Sequence, residues 1–262
     1  MTDTDITTLW RVFGSGLAHL SRCAPGSETW LMAHASLAMS GEPYADANTA
    51  AIDVGGEPET ELTRFVGRLR ERRLPALFNF SAAAAPGLQD TAQRLGLEPC
   101  GVIPLMVLDA DDAVRETRVA SPVTDATTRR VTDPSDLEGV VVVCGSAFEA
   151  ALDSMRRMLN PSVLKLPGLD IFLTRAGDVP VSALATTVHG GYVGVWAMAT
   201  SVPHQRRGYG RAALSFALDH HRGATDCFYL TASEAGRPLY ESLGFTTVEE
   251  SPAWVLAPRD RT

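Results

Sequence analysis

The segment from Met198 to Arg211, MATSVPHQRRGYGR, gathers three arginines and two glycines into its last seven residues, within a chain that is acidic as a whole. A β-rich stretch ends there and an amphipathic helix begins. Glycine lets main-chain N–H groups come close to a ligand, and the first amides of a helix are unpaired and partly positive. With arginine forks beside them, such amides form a cradle for a pyrophosphate. Ala212, Leu214, Ala217 and Leu218 continue an apolar face along the helix, and His220, His221 and Arg222 sit at its negative end. A plain strand-to-helix turn with solvated arginines would carry the same residues, so the short glycine motif alone does not decide.

The elements that must hold this turn follow from hydrophobic periodicity. Upstream, strands are expected over Arg130–Thr132, Asp170–Arg175, Pro180–Val188 and Gly191–Thr200, with a helix over Asp136–Phe148. Downstream come the helix Gly208–His221, a strand over Asp226–Thr231, a short helix over Gly236–Leu243 and a closing strand over Trp254–Ala257. The first half has a similar rhythm: helix Leu9–Cys23, extended Thr29–Met39, helix Glu59–Arg73, strand Ala76–Phe80, helix Gly87–Leu95 opened by Pro86, and strand Gly101–Leu108. Between the halves, Val107–Thr128 loses its period and collects Asp, Thr, Ser and Pro, as an exposed connector does. The expected domains are therefore 1–122 and 128–262. Their common order suggests a duplication, without a residue-level repeat to prove it.

Gln205-Arg-Arg-Gly-Tyr-Gly210 resembles the Q/R-x-x-G-x-G/A signature of the GCN5-related N-acetyltransferase (GNAT) superfamily. Thirty residues on, Gly236-Arg-Pro-Leu-Tyr-Glu-Ser-Leu-Gly-Phe245 resembles that family's A-x-x-L-Y-x-x-x-G-F segment. The resemblance covers roughly Arg130–Ala257 and is strong over Gly191–Phe245. It implies an α/β (α+β) fold with a mixed central sheet flanked by helices, in two GNAT-like halves, the first degenerate. It also implies acetyl-CoA as co-substrate and direct attack by a primary amine of a small molecule or peptide. Carried over residue by residue, it places Met198, Ala199 and Thr200 beside the pantetheine arm and the amides of Arg206, Arg207, Gly208, Tyr209, Gly210 and Arg211 at the pyrophosphate. Tyr240 stands where the family commonly protonates the departing thiolate. Ser233 ends the strand before, either touching the cofactor or capping the next helix. Many relatives place a glutamate on the fourth strand, but Tyr192–Trp196 has no carboxylate, leaving Glu149, His189 and Glu234 as candidate bases acting through water.

In the first half the corresponding junction reads Asp53-Val-Gly-Gly-Glu-Pro-Glu-Thr-Glu61. Its acidic residues would repel a pyrophosphate, so no CoA is expected there. Trp30, His34, Tyr44 and Asn48 are candidates to line an acceptor groove.

Composition removes other classes. A net charge of -8 argues against nucleic acid as partner, and no apolar run is long enough for a membrane span. The single lysine, Lys165, sits in Leu-Lys-Leu-Pro, which is no phosphate-binding loop, and no G-x-G-x-x-G follows an early strand. Cys23, Cys100, Cys144 and Cys227 form no C-x-x-C pair, and the histidines lack ligand spacing with an acidic partner, so no metal is expected. The acidic start, Met1-Thr-Asp-Thr-Asp5, has no leader character, which points to a cytoplasmic location; a monomer or homodimer is expected. Two further readings stay open: a CoA-binding sensor that has lost its chemistry, and an interaction module using the fold as scaffold.

Overall fold

Short apolar runs bounded by turn residues become strands, and longer runs of period 3.6 become helices, in a computed structural model that describes residues 5–117 and 125–258. The chain divides into two units: Met1–Met106 with Thr231–Glu234 and Thr247–Thr262, and Val107–Leu230 with Ala235–Thr246. These are not the contiguous halves expected from sequence. The difference lies at the chain's end, where the closing strand supplies the first unit.

The first unit contains α1 (Ile6–Ser21), β1 (Glu28–Leu31), β2 (Ala35–Met39), β3 (Asn48–Ile52), α2 (Pro58–Arg72), β4 (Ala76–Phe80), α3 (Ala85–Arg94) and most of β5 (Glu98–Asp109). Periodicity placed no element between Met39 and Glu59. The strand β3 found there, Asn-Thr-Ala-Ala-Ile, is fully buried but built of small residues with little hydrophobic signal. β1, β2 and β3 pair antiparallel, and β3 pairs β4 in parallel. Leu37, Met39, Ala50 and Ile52 form one face, packed with Leu62, Phe65, Val66 and Leu69 of α2 and Leu88 and Ala92 of α3. Because side chains alternate along a strand, Ser36, Ala38 and Ala51 face the other way, and there α1 approaches so closely that a Cβ on Gly14 would lie 2.6 Å from Ser36 Oγ.

Within the expected connector, Val107–Asp109 complete β5 and Ala110–Thr117 form the helix α4. Asp109 Oδ1 caps this helix by accepting from Asp111 N at 2.9 Å, and Ala113 is buried. The rest of the connector, up to residue 124, lies outside the described residues.

The second unit continues with β6 (Ala126–Arg130), α5 (Leu137–Ala147), α6 (Leu152–Met158), β7 (Leu169–Ala176), β8 (Val179–His189), β9 (Tyr192–Thr200), α7 (Tyr209–His220), β10 (Cys227–Thr231) and α8 (Arg237–Glu241). Its strands run β10-β9-β8-β7-β6. β9 and β10 are parallel and the remaining pairs antiparallel. Helices cover both faces: Gly139 of α5 admits Leu173 of β7, while the neighbouring Phe172 meets Phe216, His220 and His221 of α7. The last strand, β11 (Thr246–Leu256), is longer than expected and pairs antiparallel with β4 of the first unit.

Candidate functional site

β9 does not pair evenly along its length. Against β8, Ala183 faces Ala199 and Ala185 faces Trp196, so Ala197 and Met198 together oppose one residue. Ala197 absorbs the extra length at φ 47°, in the left-handed region. This is a β-bulge, which bends the strand and turns main-chain groups away from the ladder. Against β10, pairing stops at Gly194 with Tyr229, while β9 runs on from Val195 to Thr200. The parallel strands therefore part where the bulge begins. Trp196 and Tyr229 meet over one face of the sheet there, their rings edge to face with centroids 5.9 Å apart. A Cβ on Gly194 would lie within 2.7 Å of the indole nitrogen and the phenol oxygen, so only glycine fits beneath them. The indole N–H donates to Thr187 Oγ1 at 2.7 Å.

After β9 a short 3-10 turn, Val202–His204, leads into the glycine segment. Arg206 (φ 62°) and Gly208 (φ 88°) both adopt left-handed backbone, and alternation of left- and right-handed residues is the kind of turn in which successive N–H groups can face one side. Gly208 caps α7 without a side-chain bond, and the first helical bond in this turn runs from Ala212 N to Gly208 O at 3.0 Å. The turn lies against the end of β9, since a Cβ on Gly210 would come within 3.2 Å of Met198 Cε and Thr200 Oγ1 and 3.5 Å of Leu239 Cδ2.

The side chains divide by task. Arg206 and Arg207 are exposed, and neither guanidinium makes a hydrogen bond among the described residues. Arg211 is committed elsewhere, donating to Ser242 O at 3.0 Å and Oγ at 2.6 Å and thereby tying α7 to the end of α8. Tyr209 is buried, and its hydroxyl donates to Asp125 Oδ2 at 3.0 Å, a bond that raises its pKa. Ala199 O accepts from Ser182 Oγ at 2.6 Å, and Thr200 O accepts from Gln205 Nε2 at 3.1 Å, which fixes the strand end.

Tyr240 lies on α8, 7% exposed, with its ring edge-on to Phe245. Burial pushes its pKa up to about 12, and its hydroxyl bonds no described residue. Glu149 follows α5, exposed and at φ 52°. The last turn of α5 before it meets the turn after β9, where Ser146 Oγ accepts from Val202 N at 3.2 Å. His189 pairs with Tyr192 at the opposite end of β9, six residues or roughly 20 Å from Met198, and does not join the site. Ser233 and Glu234 belong to the segment grouped with the first unit. His204 is held by Ser201 Oγ at 2.9 Å.

The histidine pair corrects the sequence reading, which saw no acidic partner. Asp170 Oδ2 lies 3.7 Å from Nε2 of both His220 and His221, a grouping from β7 and α7 that spacing along the chain could not show. Arg130 Nε donates to the other Asp170 oxygen, and His221 Nε2 shares a 2.8 Å bond with Thr186 Oγ1, so these groups serve one another.

The first unit lacks the parting seen between β9 and β10. β3 and β4 stay paired to Ile52 with Phe80, and Ser81 N extends the ladder to Ile52 O at 2.9 Å. At the following junction Asp53 Oδ1 accepts Val54 N at 2.7 Å, occupying an amide with the protein's own carboxyl group. Of the expected groove residues, Asn48 is fully buried as a structural clamp. Its amide donates to the carbonyls of Glu42, Tyr44 and Pro75 and accepts from Ser40 and Gly41. Trp30 packs on Phe65 beneath Arg64, Tyr44 opens a 3-10 turn, and His34 lines a cavity.

Residues 168–247, spanning β8, β9, the cradle and α8, match the family model described as Acetyltransferase (GNAT) domain. That stretch is similar to a GNAT domain. The GNAT fold extends over the full chain in comparisons with solved structures. A GCN5-related N-acetyltransferase from Kribbella flavida is similar with TM-score 0.67 at 17% identity, covering 96% of both chains. One from Sphaerobacter thermophilus gives 0.59 at 14%, covering 98% of this chain and 95% of that one. A tandem GNAT protein from the clavulanic acid biosynthesis pathway gives 0.58 at 14%, covering 100% and 97%. No curated protein matches the chain.

Sequence reasoning missed the bulge at Ala197, the Trp196–Tyr229 pair and Asp125. Gly194 two residues before Trp196 was the available signal for the pair; nothing local marks the other two.

Proposed function

We propose that the chain is an N-acyltransferase that moves an acetyl group from acetyl-CoA to a primary amine of a small molecule or peptide. The observation that carries this is the combination, in one unit, of parted parallel strands and a helix N-terminus with free amides from Arg206 to Arg211. The parted edge of β9 beside Met198, Ala199 and Thr200 suits an extended amide-bearing arm, which adds to a strand as an extra strand does. The turn at Arg206–Arg211 suits the diphosphate, with Arg206 and Arg207 free to fold onto it. The missing Cβ at Gly210 keeps the approach clear.

In the reaction the amine lone pair attacks the thioester carbonyl carbon, a C–N bond forms and the C–S bond breaks. The developing oxyanion needs a donor, and the bulge at Ala197 and Met198 supplies main-chain amides outside the ladder. The thiolate leaves beside Tyr240, whose phenol stays protonated and donates to sulfur. The proton released by the amine passes to water, with Glu149, three residues after Ser146, as the candidate carboxylate. β9 itself offers none. That absence favours one second reading, a sensor that binds the thioester without turnover. Ser233 stands as a cofactor contact, since α8 has Gly236 as its N-cap with no side-chain bond, and the first half, residues 1–122, as a GNAT-like domain without CoA. A cytoplasmic setting suits four free thiols, and no helix among the described residues is long and apolar enough to cross a membrane.

Calorimetry of acetyl-CoA binding to Gly208→Asp tests the cradle. The substitution puts a carboxylate and a Cβ at a left-handed position facing the diphosphate, and binding should be lost. Unchanged affinity removes the assignment. Thiol release with a panel of amines then separates enzyme from sensor.

A further inference from the structure

The first unit holds a second polar cavity, independent of the acyl-transfer reading. It lies between α1 and the sheet, lined by Trp10, Gly14, His34, Ser36, Ala51 and Asp53, with Arg11 at its rim. Its volume is about 40 Å³, room for roughly three waters or a ligand head of three or four heavy atoms. Ser36 and Asp53 are 4% and 3% exposed, yet Ser36 Oγ and Asp53 Oδ2 have no hydrogen-bond partner, and neither has the buried His34 Nδ1. Buried polar groups without partners cost free energy, and three of them belong to residues lining one small cavity.

The fold builds this arrangement. Ser36 pairs across the ladder with Ala51, two residues before Asp53, so all three share the sheet face opposite the main core. Asp53 N donates to His34 O at 2.8 Å, which brings the third group to the same end. Gly14 makes the room, since any Cβ there would meet Ser36. Asp53 spends one carboxyl oxygen on Val54 N and keeps the other for the cavity.

We propose that this cavity binds a small primary ammonium compound. An ammonium group carries three N–H donors and a positive charge, matching three groups able to accept, one of them a carboxylate. Trp10 and Ala51 give an apolar lining for the attached methylenes. Arg11, exposed at the rim and bonding no described residue through its guanidinium, favours a ligand whose far end accepts a hydrogen bond. An amino alcohol or small amino acid meets both demands.

The test is amide NMR of the full chain titrated with ethanolamine hydrochloride, with ethylene glycol and glycolate as neutral and anionic counterparts of like size. Ethanolammonium should shift the amides of residues 34–36, 53 and 54 with a Kd on the order of 1 mM, and the two counterparts should not. Asp53→Asn should weaken the effect about tenfold or more. If that variant does not fold, the wild-type comparison of cation with neutral probe still decides. No shift with any probe, or equal shifts with ethylene glycol, overturns the proposal and leaves ordered water as the occupant. Acetyl-CoA binding, read separately, is unaffected by either result.

Discussion

Replacing Tyr240 by phenylalanine removes one oxygen from a side chain that is 7% exposed and makes no hydrogen bond to a described residue. Folding should barely notice. With burial holding the phenol near 12 and a free thiol near 8.5, complete proton transfer to the leaving sulfur is uphill by about 3.5 pKa units, or about 5 kcal/mol. In the proposed reaction Tyr240 would therefore act by donating a hydrogen bond to the developing thiolate, and such bonds to charged acceptors are worth about 1.5–3 kcal/mol. The expected loss in kcat is roughly 10- to 150-fold. The acetyl-CoA Kd should stay within about twofold and Tm within about 2 °C. The raised pKa adds a second expectation: the phenol is protonated throughout the pH range 7 to 10, so it contributes no alkaline fall in kcat there. Steady-state thiol release, calorimetry and melting curves check the three together. A fully active Phe variant refutes the assignment, and so does one that loses turnover and stability together, because that would make the ring's setting structural.

Arg207→Glu should weaken acetyl-CoA binding tenfold or more by calorimetry at low salt, with a smaller effect at high salt and no change in Tm, because the side chain is exposed and bonds nothing described. His221 should make stability fall in acid. Its pKa is lowered to about 4, first by burial and then by His220 and Arg130, against the opposing pull of Asp170. The native state thus keeps it neutral while the unfolded chain takes up a proton below about 6.5. Stability should drop as pH falls from about 6.5 to about 4, by about 3 kcal/mol in all. Urea unfolding across that range measures it, and a His221→Gln variant with the same acid slope would dismiss the histidine as the cause.

What was legible in sequence was what short-range pattern encodes. Leu62, Phe65, Val66 and Leu69 announced α2 by spacing, and Ala76–Phe80 was found to the residue. The cradle was legible because its glycines and arginines are adjacent in the chain. What escaped depends on register or on residues far apart. Ala197 looks ordinary in sequence, and only its partner strand, with one residue fewer, forces it into left-handed backbone. Asp170 stands fifty residues before the histidines it serves. β3 was hidden because alanine and threonine fill space beside large neighbours without carrying a hydrophobic period of their own.

The two parallel strand pairs show why similar elements need not share a function. β3 with β4 and β9 with β10 each pair in parallel, the first strand leading through a glycine-containing junction into a helix. In the first unit the small side chains of Thr49, Ala50 and Ala51 let the ladder run to its end, and Asp53 takes up an amide that follows it. In the second, the parallel ladder stops at Gly194, ahead of the bulge at Ala197, leaving the rest of β9 without a parallel partner. An extended ligand arm can join a strand only where that strand's hydrogen-bonding edge is unspent. The acidic junction would repel a diphosphate, but the closed ladder is the more basic obstacle, because removing charge from Glu57, Glu59 and Glu61 would still leave the arm no edge to pair with. Charge and register thus act on different parts of the same ligand, and the second unit is the one in which both are favourable.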